Sequence, residues 1–260
     1  MIPKTIHYCW FSREKYPPKI KECIRSWKRN LPGYKLRLWD ADSFDFQSIP
    51  YMRKCYGMRK WAFVADYIRL YALYTEGGIY LDSDVMALKD FGSRLDCNAF
   101  WGIDAAAEQN YFFPEAAVFG SVEGFHVLKE MMEYYENLTE ENITKEDFAR
   151  LCNCWDDKNR SIYSSDGAIQ LVTAPVAMEH VLARYGYRQA NENQTLAEGI
   201  NIWAEPIIQN HDKVDTGGTI AHHLNASSWF FTDRGPLFRF CYRHPFWMPA
   251  YKRLEKITSK

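Results

Sequence analysis

Two kinds of hydrophobic pattern alternate near the start of the chain. Residues 4–10 are a short apolar stretch of the kind that forms a buried strand. Between Pro17-Pro18 and Pro32-Gly33 the apolar residues recur at helical spacing. They are Ile20, Ile24, Trp27 and Leu31. Residues 34–39 then alternate between apolar and polar side chains, as a strand does. A strand, a helix and a strand in this order predict a βαβ unit, and therefore a parallel sheet.

A second helix and strand are predicted between residues 59 and 85. The helix covers residues 59–76, and its apolar stripe consists of Trp61, Ala65, Ile68 and Ala72. Gly77-Gly78 follows at once, and glycine readily adopts the left-handed conformation that ends a helix. Residues 79–85 are first apolar and then acidic, which predicts a strand that runs into a loop.

The rest of the chain is less regular. Short strands are predicted at 100–103 and 116–119, and helices at 123–137 and 173–185. Residues between 139 and 165 are polar and acidic with little periodicity, which indicates loops and short helices. We find neither an internal repeat nor a Pro/Gly/Ser-rich linker, and the length of 260 residues suits one domain.

Composition excludes several classes of protein. Apolar residues make up 47% of the chain and charged residues 25%, so disorder is excluded, and a net charge of −1 argues against a nucleic-acid partner. Aromatic residues reach 16%, which suits a large core or stacking on sugars and bases. The seven cysteines are scattered, as reduced thiols are. Without a signal-peptide pattern or a long apolar run, we expect a cytoplasmic protein.

The acidic segment Asp82-Ser83-Asp84 is the first candidate for chemistry. In an extended segment the side chains at i and i+2 point to one side, so two carboxylates would face a small volume that suits Mg²⁺ or Mn²⁺. About one Asp-x-Asp occurs by chance in a chain of this composition. The second, Asp40-Ala-Asp42, is expected on a surface turn. Asp82 and Asp84 instead follow a hydrophobic strand, and ligands bind at the carboxyl ends of such strands.

The helix before this strand carries Asp66 and Arg69 three residues apart, on the face opposite the apolar stripe. An intrahelical ion pair, worth a few tenths of a kcal/mol, is one explanation of that spacing. A role in binding is the other.

Several segments together resemble glycosyltransferase family 32, the DXD-motif sugar transferases, and the chain is also similar to the glucosyltransferase domains of large clostridial toxins. The resemblance rests on Trp61-Ala-Phe-Val-Ala-Asp-Tyr-Ile-Arg69 and on Gly77-Gly-Ile-Tyr-Leu-Asp-Ser-Asp84. It extends to Ile2-Pro-Lys-Thr-Ile-His-Tyr-Cys-Trp-Phe11, to residues 26–39 and to His222-His-Leu-Asn-Ala-Ser-Ser-Trp229. Between residues 90 and 220 it is looser.

The resemblance implies a set of donor contacts. Trp10 matches an aromatic residue that stacks on the nucleotide base, with a core aromatic as the alternative. Asp66 and Arg69 match residues that hold the donor sugar and the ribose or phosphate. Ser227 and Trp229 match a clamp over the diphosphate.

The resemblance also implies a metal site for Mn²⁺ or Mg²⁺. Asp82 matches the carboxylate that faces ribose and metal, and Asp84 the direct metal ligand. His223 is expected as the third ligand, with Asn225 as its rival and a surface position as the alternative for the histidine. An imidazole beside oxygen ligands favours Mn²⁺ over Mg²⁺.

Candidates for the acceptor side are less defined. Asp104, Glu115 and Asp166 lie in segments that could border an acceptor groove, and solvated loop acids are the alternative. Asp166 is the one included among the expected catalytic residues, because Thr173-Ala174-Pro175 downstream is similar to the family's Thr-Gly-Pro. The alanine departs from that pattern.

The C-terminal residues 235–260 have a composition of their own. Six basic residues and one acidic residue alternate there with aromatic side chains. Such a segment suits an anionic membrane surface, where lipid-linked acceptors reside, and a tail packed on the domain is the alternative.

These observations predict an α/β protein: a single GT-A-type domain at residues 1–234, with a Rossmann-like, mixed, mostly parallel sheet flanked by helices, and the basic segment 235–260. The expected activity is a metal-dependent, retaining transfer from a nucleotide-sugar donor, a UDP-sugar in preference, to a glycan or lipid-linked glycan in surface polysaccharide synthesis. The expected location is the cytoplasm, with peripheral contact at the inner face of the plasma membrane. Two alternatives stay open, a non-catalytic sugar-binding protein and a toxin-like transferase that glycosylates a protein side chain.

Overall fold

The predicted βαβ unit is present in the computed structural model. It consists of β1 (Thr5–Cys9), α1 (Pro18–Asn30) and β2 (Lys35–Trp39). The two strands are parallel and in register from Thr5 opposite Lys35 to Cys9 opposite Trp39. Pro18 stands in the first turn of the helix, where a missing backbone N–H costs nothing.

The structure describes residues 1–106, 111–153, 161–205, 207–210 and 217–224. The chain divides into two units, residues 1–225 and residues 226–260, and the second lies outside the described residues. The expected boundary at residue 234 therefore stays a prediction. In the part of the chain that the structure describes, no helix is both long and apolar enough to span a bilayer.

The other predicted elements are present with shifted ends. The helices are α2 (Pro50–Gly57), α3 (Trp61–Glu76), α4 (His126–Glu136), α5 (Lys145–Asn153) and α6 (Ala174–Ala183). The strands are β3 (Gly78–Leu81), β4 (Val85–Ala87), β5 (Ala99–Ala106), β6 (Tyr111–Ser121), β7 (Gln194–Leu196), β8 (Ile200–Trp203), β9 (Ile208–Asn210) and β10 (Ala221–His223). The sequence patterns missed α2, which has only eight residues, and the strands β4 and β7–β10, whose three or four residues are too few to show a period.

Seven of the described strands form one sheet in the order β2-β1-β3-β6-β5-β8-β7. Strands β1, β2, β3, β5 and β8 run in one direction, and β6 and β7 run in the other. Helix α3 packs against β1, β3 and β6, and α6 packs against β6. The predicted class, an α/β protein with a mixed and mostly parallel sheet flanked by helices, is confirmed.

Much of the aromatic excess lies in the core of the described residues. Trp27, Trp101 and Phe119 are fully buried, and the rings of Trp101 and Phe119 stack with centroids 5.4 Å apart. Large aromatic side chains bury more apolar surface than any others, so they contribute strongly to the stability of this fold.

Gly77 and Gly78 join α3 to β3 within two residues. Both have a positive φ, of 61° and 116°. A Cβ atom at Gly78 would lie 2.6 Å from the carbonyl oxygen of Thr5, so a larger residue would push β1 and β3 apart. The close approach of these strands places the residues that follow β1 and β3 at the same edge of the sheet.

A small second sheet forms beside that edge, in the order β4-β10-β9. Helix α1 holds β4 through three hydrogen bonds. The indole Nε1 of Trp27 donates to Val85 O at 2.8 Å, Asn30 Nδ2 donates to Ala87 O at 2.8 Å, and Ser26 Oγ accepts from Ala87 N at 2.9 Å. The start of the chain thus fixes the strand that directly follows Asp84.

Candidate active site

Asp82, Ser83 and Asp84 form a turn between β3 and β4. The expectation of an extended segment is wrong here, because Asp82 O accepts a hydrogen bond from Val85 N at 2.9 Å and thereby closes the chain on itself. The turn is fixed from two sides. Asp82 N donates to Ala117 O at 2.9 Å, and Asp84 O accepts from Leu224 N at 3.1 Å.

Strand β10 brings His223 to this turn. The strand pairs antiparallel with β4, so that His223 lies opposite Val85, the residue after Asp84. One possible ligand atom each from Asp82, Asp84 and His223 lies within 4.8 Å of the other two. Nε2 of His223 is 3.6 Å from Asp84 Oδ1. The structure therefore brings together three residues that the sequence predicted as metal ligands.

Glu115 lies on the other side of the His223 ring. Its Oε1 is 3.6 Å from His223 Nδ1, and the same oxygen accepts a hydrogen bond from Ala117 N at 2.7 Å. Glu115 is only 3% exposed. The alternative of a solvated loop acid is wrong for this buried carboxylate, and its predicted place beside an acceptor groove stays a prediction.

The position of Glu115 follows from an irregularity in β6. Trp101 of β5 pairs with Phe119, but Ile103 pairs with Pro114, so residues 115–118 lie opposite one residue of β5. A bulged segment turns backbone groups away from the ladder. The freed carbonyl groups of Ala116 and Ala117 accept hydrogen bonds from the Arg69 guanidinium and the Asp82 backbone.

Arg69 is buried beside the first aspartate of the turn. Its Nη2 is 3.0 Å from Asp66 Oδ1 and 3.5 Å from Asp82 Oδ1, and its Nη1 donates to Ala116 O at 2.7 Å. The guanidinium also lies over the ring of Tyr80, 4.9 Å from its centroid, and the Tyr80 hydroxyl donates to Asp82 Oδ1 at 2.7 Å.

The expectation that Asp66 and Arg69 lie on a polar helix face is wrong, because α3 is buried on nearly all sides. The ion pair between them is present. In this structure Arg69 holds Asp66 and Asp82, and its predicted contact with a donor stays a prediction.

Burial and neighbouring charges shift the pKa values of the cluster. Burial raises the pKa of Asp66 to about 7, although Arg69 opposes the shift. Burial also raises the pKa of Asp82, where Asp84 adds to the effect and Arg69 opposes it. For His223 burial lowers the pKa, but Glu115, Asp84 and Asp82 outweigh it and raise the pKa to about 10. The carboxylates of Glu115, Asp84 and Asp82 thus surround the imidazole, and their charge favours a cation at this place.

The donor set fits a divalent cation. Two carboxylates of one turn and the imidazole of β10 lie together, and oxygen ligands with one nitrogen suit Mn²⁺ and related ions. Two carboxylates this close repel each other, and a cation between them removes that repulsion. Asp82, Asp84 and His223 would be the protein ligands.

Trp10 lines a cavity of about 400 Å³ at the same edge of the sheet. It follows β1, and the cavity also contacts Tyr16, Lys21 and Asp40. Trp10 Nε1 donates to Glu14 O at 2.8 Å, and the Trp10 ring meets that of Tyr16 edge to face. The ring is half-buried, so it is not a core aromatic. Stacking on a base stays a prediction.

The hydrogen bonds of the Asp166 carboxylate join it to residues of its own turn. It is exposed on a turn, where its carboxylate accepts hydrogen bonds from Ser164 Oγ and from Ala168 N. Asp104 is on β5, opposite Phe113 of β6. The remaining predicted residues, Asn225, Ser227 and Trp229, lie outside the described residues, as does the segment 235–260.

Comparison with solved structures gives distant similarities. The PaToxG glycosyltransferase is 16% identical, with 70% of this chain and 69% of that chain covered and a TM-score of 0.45. A glycosyltransferase involved in glycosylation of the major capsid of PBCV-1 is 14% identical, with 84% of this chain and 92% of that chain covered and a TM-score of 0.42.

Comparison of sequences gives similarity over part of the chain. An uncharacterised glycosyltransferase of Acanthamoeba polyphaga mimivirus is 30% identical over 109 residues, which are 39% of this chain, and the match spans 43% of that relative's length. Residues 17–111 match the model of a family described as "Glycosyltransferase sugar-binding region containing DXD motif". The matched range includes Asp66, Arg69 and the turn at Asp82–Asp84. Residues 17–111 of this chain are therefore similar to the DXD-motif glycosyltransferases, the family that the sequence resembles.

Proposed function

We propose that the chain is a metal-dependent, retaining glycosyltransferase that moves a sugar from a nucleotide-sugar donor to a glycan acceptor. The observation that carries the proposal is the convergence of Asp82, Asp84 and His223 within 4.8 Å, inside a DXD-family region. The role of each residue follows from its contacts.

The turn supplies the ligands and its neighbours keep them in place. A divalent cation, Mn²⁺ in preference to Mg²⁺, would stabilise the negative charge that develops on a departing nucleoside diphosphate. Arg69 and the Tyr80 hydroxyl hold the Asp82 carboxylate from the side of α3 and β3. Because these groups are already fixed, little reorganisation is needed when a donor binds.

The donor would lie along the edge of the sheet between two groups of residues. At one end is the Trp10 cavity, whose half-buried indole can stack on a base. For the other end we propose Asp66, which pairs with Arg69, as the residue that orients the sugar hydroxyls. Ser227 and Trp229 are proposed near the diphosphate. Preference for a UDP-sugar and retention of configuration, by attack on the face that the phosphate leaves, rest on the family resemblance alone.

The acceptor and the cellular location are proposed from sequence. Asp166 is the proposed acceptor-side residue within a domain that ends at residue 234. The basic and aromatic composition of residues 235–260 supports contact with an anionic membrane at the inner face of the plasma membrane. A lipid-linked glycan in surface polysaccharide synthesis is the acceptor that suits such a location.

Release of nucleoside diphosphate tests the proposal. The full chain is incubated with UDP- and GDP-sugars, with Mn²⁺, with Mg²⁺ and with a chelator. We expect slow hydrolysis of one donor that requires the metal and stops on chelation. A sugar-binding protein would instead bind free glycan and leave every donor intact. Faster release on addition of a protein, but not of a glycan, would favour the toxin-like alternative.

A further inference from the structure

Glu115 has no role in the proposed function, yet its carboxylate faces the Nδ1 side of the His223 ring. We propose that Glu115 is a positioning residue that holds His223 with Nε2 directed to the metal and Nδ1 directed away from it. The inference rests on the proposed metal site. It adds a residue that the DXD motif does not contain and that lies outside the matched residues 17–111.

The geometry separates the two nitrogens of the ring. Nε2 is 3.6 Å from Asp84 Oδ1, on the side where the ligand atoms converge. Nδ1 is 3.6 Å from Glu115 Oε1, on the opposite side. A histidine binds a metal through one nitrogen, and the partner of the other nitrogen sets its tautomer and orientation. Glu115 is therefore placed to keep the proton on Nδ1 and leave Nε2 for the metal.

The backbone fixes Glu115 in turn. Its Oε1 accepts from Ala117 N at 2.7 Å, and Ala117 O accepts from Asp82 N at 2.9 Å. One residue of the bulged segment thus fixes both the carboxylate behind His223 and the backbone of the first aspartate. The distance between the imidazole and the two aspartates depends on this segment of β6.

A purely structural explanation makes different predictions. If Glu115 served only to neutralise a buried histidine, its loss would lower the stability of the chain, and metal affinity would follow only through misfolding. If it positions His223, its loss weakens metal binding in a folded chain, and the effect requires His223 to be present. The two explanations are distinguished by combining substitutions.

Binding of Mn²⁺, measured from the electron paramagnetic resonance signal of the free ion, is the test. Glu115→Gln keeps an oxygen for Ala117 N but removes the charge. We expect about 10- to 100-fold weaker binding of Mn²⁺ by this variant, the usual effect of losing such a partner. Glu133→Gln, on the exposed face of α4, makes the same change in net charge and should bind as the unmodified chain does. In a His223→Gln background, Glu115→Gln should cause no further loss.

The outcomes separate this inference from the proposed function. Failure of the unmodified chain to bind Mn²⁺ overturns the metal site itself. Equal affinity of the unmodified chain and Glu115→Gln overturns only the role of Glu115, and so does an equal loss with and without His223. If Glu115→Gln does not fold, the unmodified chain still tests the inference. ¹⁵N spectra of its histidines are recorded with Zn²⁺ bound, and the spectrum of His223→Gln assigns the His223 signals. Metal on Nδ1 would then overturn the inference, and metal on Nε2 with a proton on Nδ1 would support it.

Discussion

The chain contains two Asp-x-Asp segments that differ in burial and in their partners. Both follow strands of the same sheet, Asp40-Ala-Asp42 after β2 and Asp82-Ser-Asp84 after β3. The first is bonded almost entirely within its own loop. The second is bonded to residues from four other parts of the chain.

In the first segment the carboxylates are used locally. Asp40 Oδ1 accepts from Ser43 Oγ at 2.7 Å and from Asp42 N at 3.0 Å, which is the usual way an aspartate stabilises a turn. Asp42 pairs with Arg13, and both side chains are largely exposed. The expected surface turn is confirmed. Exposed ion pairs contribute little, because water competes for both partners.

In the second segment most partners are far away in the sequence. Asp82 contacts Arg69 and Tyr80, and Asp84 contacts His223, which lies more than a hundred residues later in the chain. All of these groups are buried or half-buried. Long-range contacts in a water-poor site, rather than the motif itself, distinguish a candidate metal site from a turn.

Substitution of one aspartate in each segment should give the largest difference in activity between the two segments. Asp84→Asn removes a charged ligand, so we expect metal-dependent release of nucleoside diphosphate to fall by at least about 100-fold, which corresponds to a few kcal/mol of lost charge stabilisation. Asp42→Asn removes the same charge from an exposed turn that lines the Trp10 cavity, and because its carboxylate is exposed and paired with Arg13 we expect a loss of at most about fivefold. The measurement is initial rate at saturating Mn²⁺.

Circular dichroism of both variants serves as the control for folding. Full activity of a folded Asp84→Asn variant would contradict the role assigned to the second segment. A large loss in Asp42→Asn would mean that the turn beside the Trp10 cavity contributes to donor binding.

Substitutions of the arginine beside each Asp-x-Asp segment should differ in their effect on the free energy of unfolding. Arg69→Met leaves Asp66 and Asp82 close together and buried without their cation, which should lower the free energy of unfolding by about 3–5 kcal/mol. Arg13→Met breaks an exposed pair and should cost at most about 1 kcal/mol. Urea unfolding without metal measures both. Similar costs for the two variants would show that the cluster around Asp82 is no more tightly coupled than the surface turn.

The sequence predicts the similarity to DXD-motif transferases, the first βαβ unit and the three residues of the Asp-Asp-His cluster, because these depend on local patterns and on one ordered motif. It misses the means by which they are brought together. Strand β10 is three residues long, and its pairing with β4 has no local signal. The bulge that directs Glu115 toward His223 depends on the register between β5 and β6, which the sequence of β6 alone does not specify. In the sequence, the only sign of the bulge is a glutamate, Glu115, directly before a run of apolar residues.

Removal of one hydroxyl from each segment should give the smallest difference. Tyr80→Phe deletes a buried donor to Asp82 Oδ1, and hydrogen bonds to charged groups contribute about 1.5–3 kcal/mol to the free energy of unfolding. Ser43→Ala deletes a donor to Asp40 Oδ1 at the same distance of 2.7 Å, but water can replace it, so we expect a loss of about 0.5–1 kcal/mol. Urea unfolding of both variants at pH 7 measures the difference. Because the two bonds are equal in length, both are local in sequence and both end on an aspartate, unequal losses would have to come from burial. Equal losses would instead mean that the protein around Asp82 admits water as freely as the exposed turn does.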